Sequence, residues 1–77
     1  MSYHDDIMKI MSDGRPRTAT EVARELYPDL GGYEFRIKVI KIKPRMDKAV
    51  KFKFLVKIGS RGGAGGYAAH IYVIVDP

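Results

Sequence analysis

Four cations at near-helical spacing, Lys38, Lys41, Arg45 and Lys48, are the residues whose types and placement could do chemistry, and that chemistry is the binding of a polyanion. An arginine presents a planar fork that can grip a phosphate or a guanine edge through two hydrogen bonds, whereas a lysine supplies a point charge that meets phosphate from many directions. Ten of the fourteen Lys and Arg residues fall between Gly31 and Arg61, where only Glu34 and Asp47 oppose them. The first thirty residues hold four basic and six acidic side chains, so the basicity is placed rather than spread. A merely solvated face mixes signs for solubility and local pairing, and this segment does not.

A second candidate is the glycine-rich stretch Gly59-Ser60-Arg61-Gly62-Gly63-Ala64-Gly65-Gly66. Glycines can cradle a phosphate, but nucleotide loops lead into a helix and carry a Gly-Lys-Ser/Thr ending or a GxGxxG pattern. This one leads into a strand-forming segment, which makes the nucleotide reading weak. His4 and His70 are far apart in sequence, no cysteine is present, and no Ser, His and acid arrangement is visible, so neither a metal nor a catalytic triad is expected. Seventy-seven residues leave limited room for a deep catalytic pocket. The expectation is a non-enzyme with no cofactor, and no small-molecule substrate is evident. The absence of cysteine fits a reducing cytoplasm, and the longest apolar run, near Ile71 to Val75, is far short of a membrane span.

These cations need elements to position them. Tyr3, Ile7, Ile10 and Met11 recur at helical spacing behind Ser2, with Asp5 and Asp6 where a helix dipole favours carboxylates, and predict a helix over residues 3–12. Asp13-Gly14 breaks the chain and Pro16 keeps it extended. Thr18 followed by Glu21 then forms a capping box for a second helix, with Ala19, Val22, Ala23 and Leu26 on one face and Pro28 as its stop. Residues 33–58 carry two periods at once. At a period of two, Tyr33, Phe35, Ile37 and Val39, and then Val50, Phe52, Phe54, Val56 and Ile58, each share a face around a hairpin turn at Pro44-Arg45-Met46-Asp47. At a period of 3.6, Phe35, Val39, Ile42, Met46, Ala49 and Lys53 share a stripe flanked by the four cations, and Pro44 counts against that helix. Phe54 to Ile58 and Tyr67 to Val75 read as antiparallel strands joined by the glycine loop, whose composition argues against regular structure.

Helix, extended connection, helix, basic segment and a hairpin with a Gly- and Arg-bearing tip is an order that resembles a winged helix-turn-helix DNA-binding domain of the small prokaryotic and archaeal transcriptional-regulator type. Thr18-Ala19-Thr20-Glu21-Val22-Ala23 looks like the start of the second helix in that family. Ile42, Met46 and Ala49 running into Val50 to Val56 resemble the end of its recognition helix and the first wing strand. Lys53 stands where a glycine would usually end that helix. The resemblance implies one α+β domain over residues 1–77, with a three-helix core and a C-terminal β-hairpin wing. The other reading is two helices followed by a three-stranded antiparallel meander.

The resemblance further implies a cytoplasmic regulator of transcription that occupies duplex DNA, with a homodimer as one assembly it allows. Arg45 would read guanine in the major groove, while Lys38, Lys41, Lys43 and Lys48 would meet phosphates. Arg61, at the wing tip, would meet the minor groove or the DNA backbone. Thr18 and Thr20 would touch a phosphate from the second helix, reinforced by Arg17. Two alternatives stand beside this one: a winged module docking through Ile37 and Ile40 in a larger assembly, and RNA binding on the meander's sheet with Phe35 or Phe52 stacked on bases.

Overall fold

The computed structural model describes residues 3–62 and 68–75 of the chain. Met1, Ser2, the glycine loop beyond Gly62, Tyr67, Asp76 and Pro77 lie outside the described residues. Three helices are followed by a two-stranded antiparallel sheet: α1 (Tyr3–Met11), α2 (Ala19–Leu26), α3 (Gly32–Lys51), β1 (Leu55–Gly62) and β2 (Ala68–Ile74). Among the described residues no helix is long and apolar enough to cross a membrane.

Local chemistry accounts for each helix. α1 carries Asp5 and Asp6 in its first turn and buries Ile7 and Met11. α2 opens with the full capping box: the Thr18 hydroxyl accepts from the Glu21 N–H at 3.2 Å, and the Glu21 carboxylate accepts from the Thr18 N–H at 2.8 Å. It closes at Tyr27, one residue before Pro28. α3 buries Ile42, Met46 and Ala49 on the stripe read from the 3.6 period, with Phe35 and Val39 half-buried beside them.

Residues 33–51 are therefore helix, and the hairpin turn at Pro44 and the three-stranded meander do not form. Pro44 is accommodated because it sits on the outer side of α3, as does Ile40 one turn earlier, whose carbonyl loses its N–H partner where water can replace it. The Lys41 carbonyl next in line accepts from the Arg45 guanidinium at 2.6 Å.

The end of α3 is a Schellman turn. The Phe54 N–H reaches the Ala49 carbonyl at 2.8 Å, the Lys53 N–H reaches the Val50 carbonyl at 3.0 Å, and Lys53 sits at φ 66° in the left-handed region. A lysine there is strained relative to glycine. Lys53→Gly is expected to stabilise the fold by about 0.5–1 kcal/mol, seen as a thermal midpoint a few degrees higher, and an unchanged or lower midpoint would contradict the assignment of strain.

β1 pairs with β2 from Leu55↔Ile74 through Lys57↔Tyr72, shifts register between Lys57 and Gly59, and continues to Gly62↔Ala68. The segment Gly59 to Gly62, expected to be too glycine-rich for a strand, is thus part of β1, with the shift taking up the local irregularity. The parity expected for β1 is also reversed. Leu55 is the buried residue, while Phe52, Phe54, Val56 and Ile58 are exposed. The period-two pattern grouped Phe52, Phe54, Val56 and Ile58 on one face and Leu55 on the other, and it is Leu55 that, with Tyr72 across the hairpin, is fully buried against the helices. The Tyr72 hydroxyl donates to Asp47 of α3, and the Lys57 ammonium lies 3.3 Å from the same carboxylate. Burial pushes Asp47 up, but the tyrosine and lysine outweigh it and hold the carboxyl below its ordinary value. Burial, with Asp47 opposite, raises Tyr72 well above the usual phenol range.

Candidate nucleic-acid interface

α3 and the turn that follows it position most of the candidate residues. Lys38, Lys41, Arg45 and Lys48 do form one flank of the helix, the flank turned toward the start of α1. Lys38 donates to the Tyr3 hydroxyl at 3.2 Å and lies 4.8 Å from the centre of the Tyr27 ring. The Lys38 ammonium lowers the Tyr3 hydroxyl below its ordinary pKa, and the same hydrogen bond raises Lys38. Arg45 lies 4.5 Å from the centre of the Tyr3 ring, its guanidinium also holding the Lys41 carbonyl, so the side chain lies against the helix rather than standing out from it. Lys48 lies 5.9 Å from the Phe52 ring.

Sequence reasoning missed the neighbours of this flank. Tyr3, His4, Phe52 and Phe54 meet Arg45 and Lys48 around a cleft of about 410 Å³. His4 packs edge-on to Phe54 with ring centres 5.5 Å apart. Phe52 is 58% and Phe54 49% exposed, an unusual state for two adjacent large aromatics in so small a domain. Lys51 and Lys53 are exposed at the same end of α3. Lys41, Arg45, Lys48, Lys51 and Lys53 make no ion pair with any described carboxylate. The pattern Lys51-Phe52-Lys53-Phe54 was the available signal and had marked Phe52 for base stacking, but reading it as strand separated it from Arg45 and Lys48 of the helical flank.

The other candidates are dispersed. Lys43 lies on the opposite flank of α3, 3.5 Å from Asp47. Thr20 is exposed at the start of α2 and shares a small crevice of about 60 Å³ with Lys43, His70 and Tyr72. Arg61 reaches back from β1 to the Glu21 carboxylate at 2.7 Å, and Glu21 is held below its ordinary pKa, first by the Thr18 N–H and then by Arg61. Thr18 is buried and occupied by capping, so it is not placed to touch a phosphate. Arg17 is buried as well. Its guanidinium grips Asp13 at 2.7 Å through two nitrogens, pairs with Glu25 and donates to the Ile10 carbonyl at 3.0 Å, which assigns it to the framework rather than to a ligand.

The outer face of α3 is less polar than major-groove reading requires. Tyr33 and Ile40 are 77% and 63% exposed there, and Pro44 lies on the same side. Base edges are read by hydrogen-bond donors and acceptors, and here the Tyr33 hydroxyl stands beside the apolar Ile40 and Pro44. Ile37, the other half of the expected docking patch, is half-buried. Among the described residues, no group of three or more His, Cys, Asp or Glu could hold a metal ion.

No protein-family model and no solved structure matches the chain. It is similar to small ribosomal subunit protein uS5 of Haloarcula marismortui, with 31% identity over 64 residues, covering 83% of this chain and 30% of that protein. The chain therefore spans less than a third of the length of this relative. The likeness to a ribosomal protein overturns the expectation of a transcription regulator whose partner is duplex DNA. Arg45, the residue expected to read guanine, folds back onto the Lys41 carbonyl, and Ile40 and Pro44 occupy the outer side of α3, which fits a DNA-reading helix poorly.

Proposed function

From the likeness to a ribosomal subunit protein we propose that the chain binds structured RNA and works within a ribonucleoprotein of ribosomal type. One observation carries the reading. Five cations without carboxylate partners follow one another toward the end of α3: Arg45 and Lys48 share a cleft with the exposed rings of Phe52 and Phe54, Lys51 and Lys53 flank Phe52 in the chain, and Lys41 lies one turn behind Arg45. RNA presents phosphates together with unstacked bases in loops and bulges, and aromatic side chains next to Lys and Arg suit that mixture. Duplex DNA offers the phosphates but keeps its bases stacked. In the same reading the three helices and the hairpin form a winged-helix layout, used here on RNA, with β1 and β2 as the wing. The Arg61–Glu21 pair is exposed at both ends, so its weak hold would be exchanged for a phosphate at little cost.

The test is a fluorescence-anisotropy titration of an RNA hairpin bearing an unpaired loop against a duplex DNA of equal length. RNA is expected to bind at least about tenfold more tightly. With five cations meeting phosphates, the logarithm of affinity should fall against the logarithm of salt with a slope of roughly −3.5 to −4.5. Binding of duplex DNA as tightly as RNA, or an affinity indifferent to salt, would overturn the proposal.

A further inference from the structure

We infer that the cleft between the start of α1 and the end of α3 is a binding site for one unpaired nucleotide, taking its base against Phe52 and Phe54 and its phosphate on Arg45 and Lys48. The inference deepens the RNA reading by naming the part of the ligand that this cleft recognises, and it rests on that reading for its biological context only.

Three observations converge. The first is size and lining. A cleft of about 410 Å³ lies within the roughly 300–1,000 Å³ typical of small-ligand pockets, and its walls are aromatic with a few cations rather than uniformly apolar. The second is charge. Arg45 and Lys48 are exposed and unmatched by any described carboxylate, and the His4 imidazole lines the same cleft, so an anionic group meets cations and no opposing acid. Arg45 already lies over the Tyr3 ring and Lys48 near the Phe52 ring, so both cations are held beside π-faces before any ligand arrives.

The third is backbone strain. Lys53, between the two phenylalanines, turns the chain at φ 66° so that both Phe52 and Phe54 line the cleft. A glycine would make that turn with less strain, and a lysine there places one more cation on the segment that carries the two rings. A flat aromatic group joined to a phosphate satisfies all three features, and a nucleotide pulled out of its stack is that combination.

The ¹⁵N-labelled full chain, titrated in parallel with adenosine 5′-monophosphate and with ribose 5-phosphate, tests the inference by amide chemical shifts. The nucleotide is expected to move the amides of His4, Lys48, Phe52 and Phe54 and to bind roughly 5- to 150-fold more tightly than the sugar phosphate, the range that stacking one base supplies. Phe52→Ala should remove most of that difference and Phe52→Trp should restore it, while the thermal midpoint of each variant checks the fold. Equal affinity for the two probes, or shifts confined to other residues, overturns the inference.

A second arm compares an RNA stem carrying one bulged nucleotide with the same stem fully paired. Tighter binding of the bulged stem, lost in Phe52→Ala, supports the site. Equal binding of both stems, with the nucleotide probe no better than the sugar phosphate, rejects the cleft and leaves RNA binding intact. Binding of the nucleotide probe without binding of either stem keeps the cleft and rejects the RNA reading.

Discussion

Replacing Arg17 with alanine is expected to cost about 2–3 kcal/mol of stability and to lower the thermal midpoint by on the order of 10–20 °C. The size of the effect follows from what the side chain joins. Two of its nitrogens hold both oxygens of Asp13, its remaining face pairs with Glu25 near the end of α2, and one N–H satisfies the Ile10 carbonyl in the last turn of α1. Its backbone, which alanine would preserve, exchanges hydrogen bonds with Tyr72 of β2 at 2.9 and 2.8 Å. Breaking a fully buried pair costs about 3–5 kcal/mol. Here the guanidinium is buried but the two carboxylates are nearly half exposed and can rehydrate, which sets the lower figure. A domain of this length has a total stability of only about 4–12 kcal/mol, so the loss is a large share of it.

Arg17→Lys keeps the charge but loses the two-pronged grip, and should fall between the two. Arg17 beside Asp13, helped by the Arg15 N–H, holds the Asp13 carboxyl well below its usual range. A depressed carboxylate contributes stability above its unfolded value near pH 3.9 and loses that contribution as pH falls toward its folded value. The wild type should therefore weaken below about pH 4, and the Arg17→Ala protein should show a shallower acid limb. Chemical denaturation across pH 2–8 measures both, and a variant within about 0.5 kcal/mol of wild type at neutral pH would contradict the assignment.

That network shows where sequence reading stopped. Asp13 four residues before Arg17 is a local hint, but Glu25 and the Ile10 carbonyl reach it only once α1 and α2 pack, so Arg17 looked like a cation free for a ligand. The capping box was legible because its chemistry is confined to Thr18 and Glu21. The buried stripe Ile42, Met46 and Ala49 was legible because helical period and burial coincide. Pro44 made the same segment ambiguous, since its cost depends on whether the orphaned carbonyl faces water, a tertiary fact. The cleft was illegible because it needs Tyr3 and His4 beside Phe52 and Phe54, which lie far away in sequence. The parity of β1 failed for a different reason: the helices have room for Leu55 and Tyr72 but not for the larger apolar set, which stays outside.

Reversing two charges of the candidate interface, Lys41→Glu with Lys48→Glu, is expected to lower affinity for a looped RNA hairpin on the order of 100-fold at 0.1 M salt, because each change replaces attraction with repulsion. The salt slope should flatten by about 1.4–1.8, the share that two phosphate contacts supply. Both side chains are exposed and pair with no described carboxylate, so the fold has little to lose, and the thermal midpoint should move by only a few degrees. The informative comparison is Lys9→Glu with Arg15→Glu, two exposed residues of the acidic N-terminal part that change the net charge equally. If binding depends only on overall charge, both pairs weaken it alike, and the assignment of the interface to α3 fails. If the flank beside Phe52 and Phe54 meets the RNA, the α3 pair loses most of its affinity while the N-terminal pair, which does not line the cleft, changes it by no more than a fewfold.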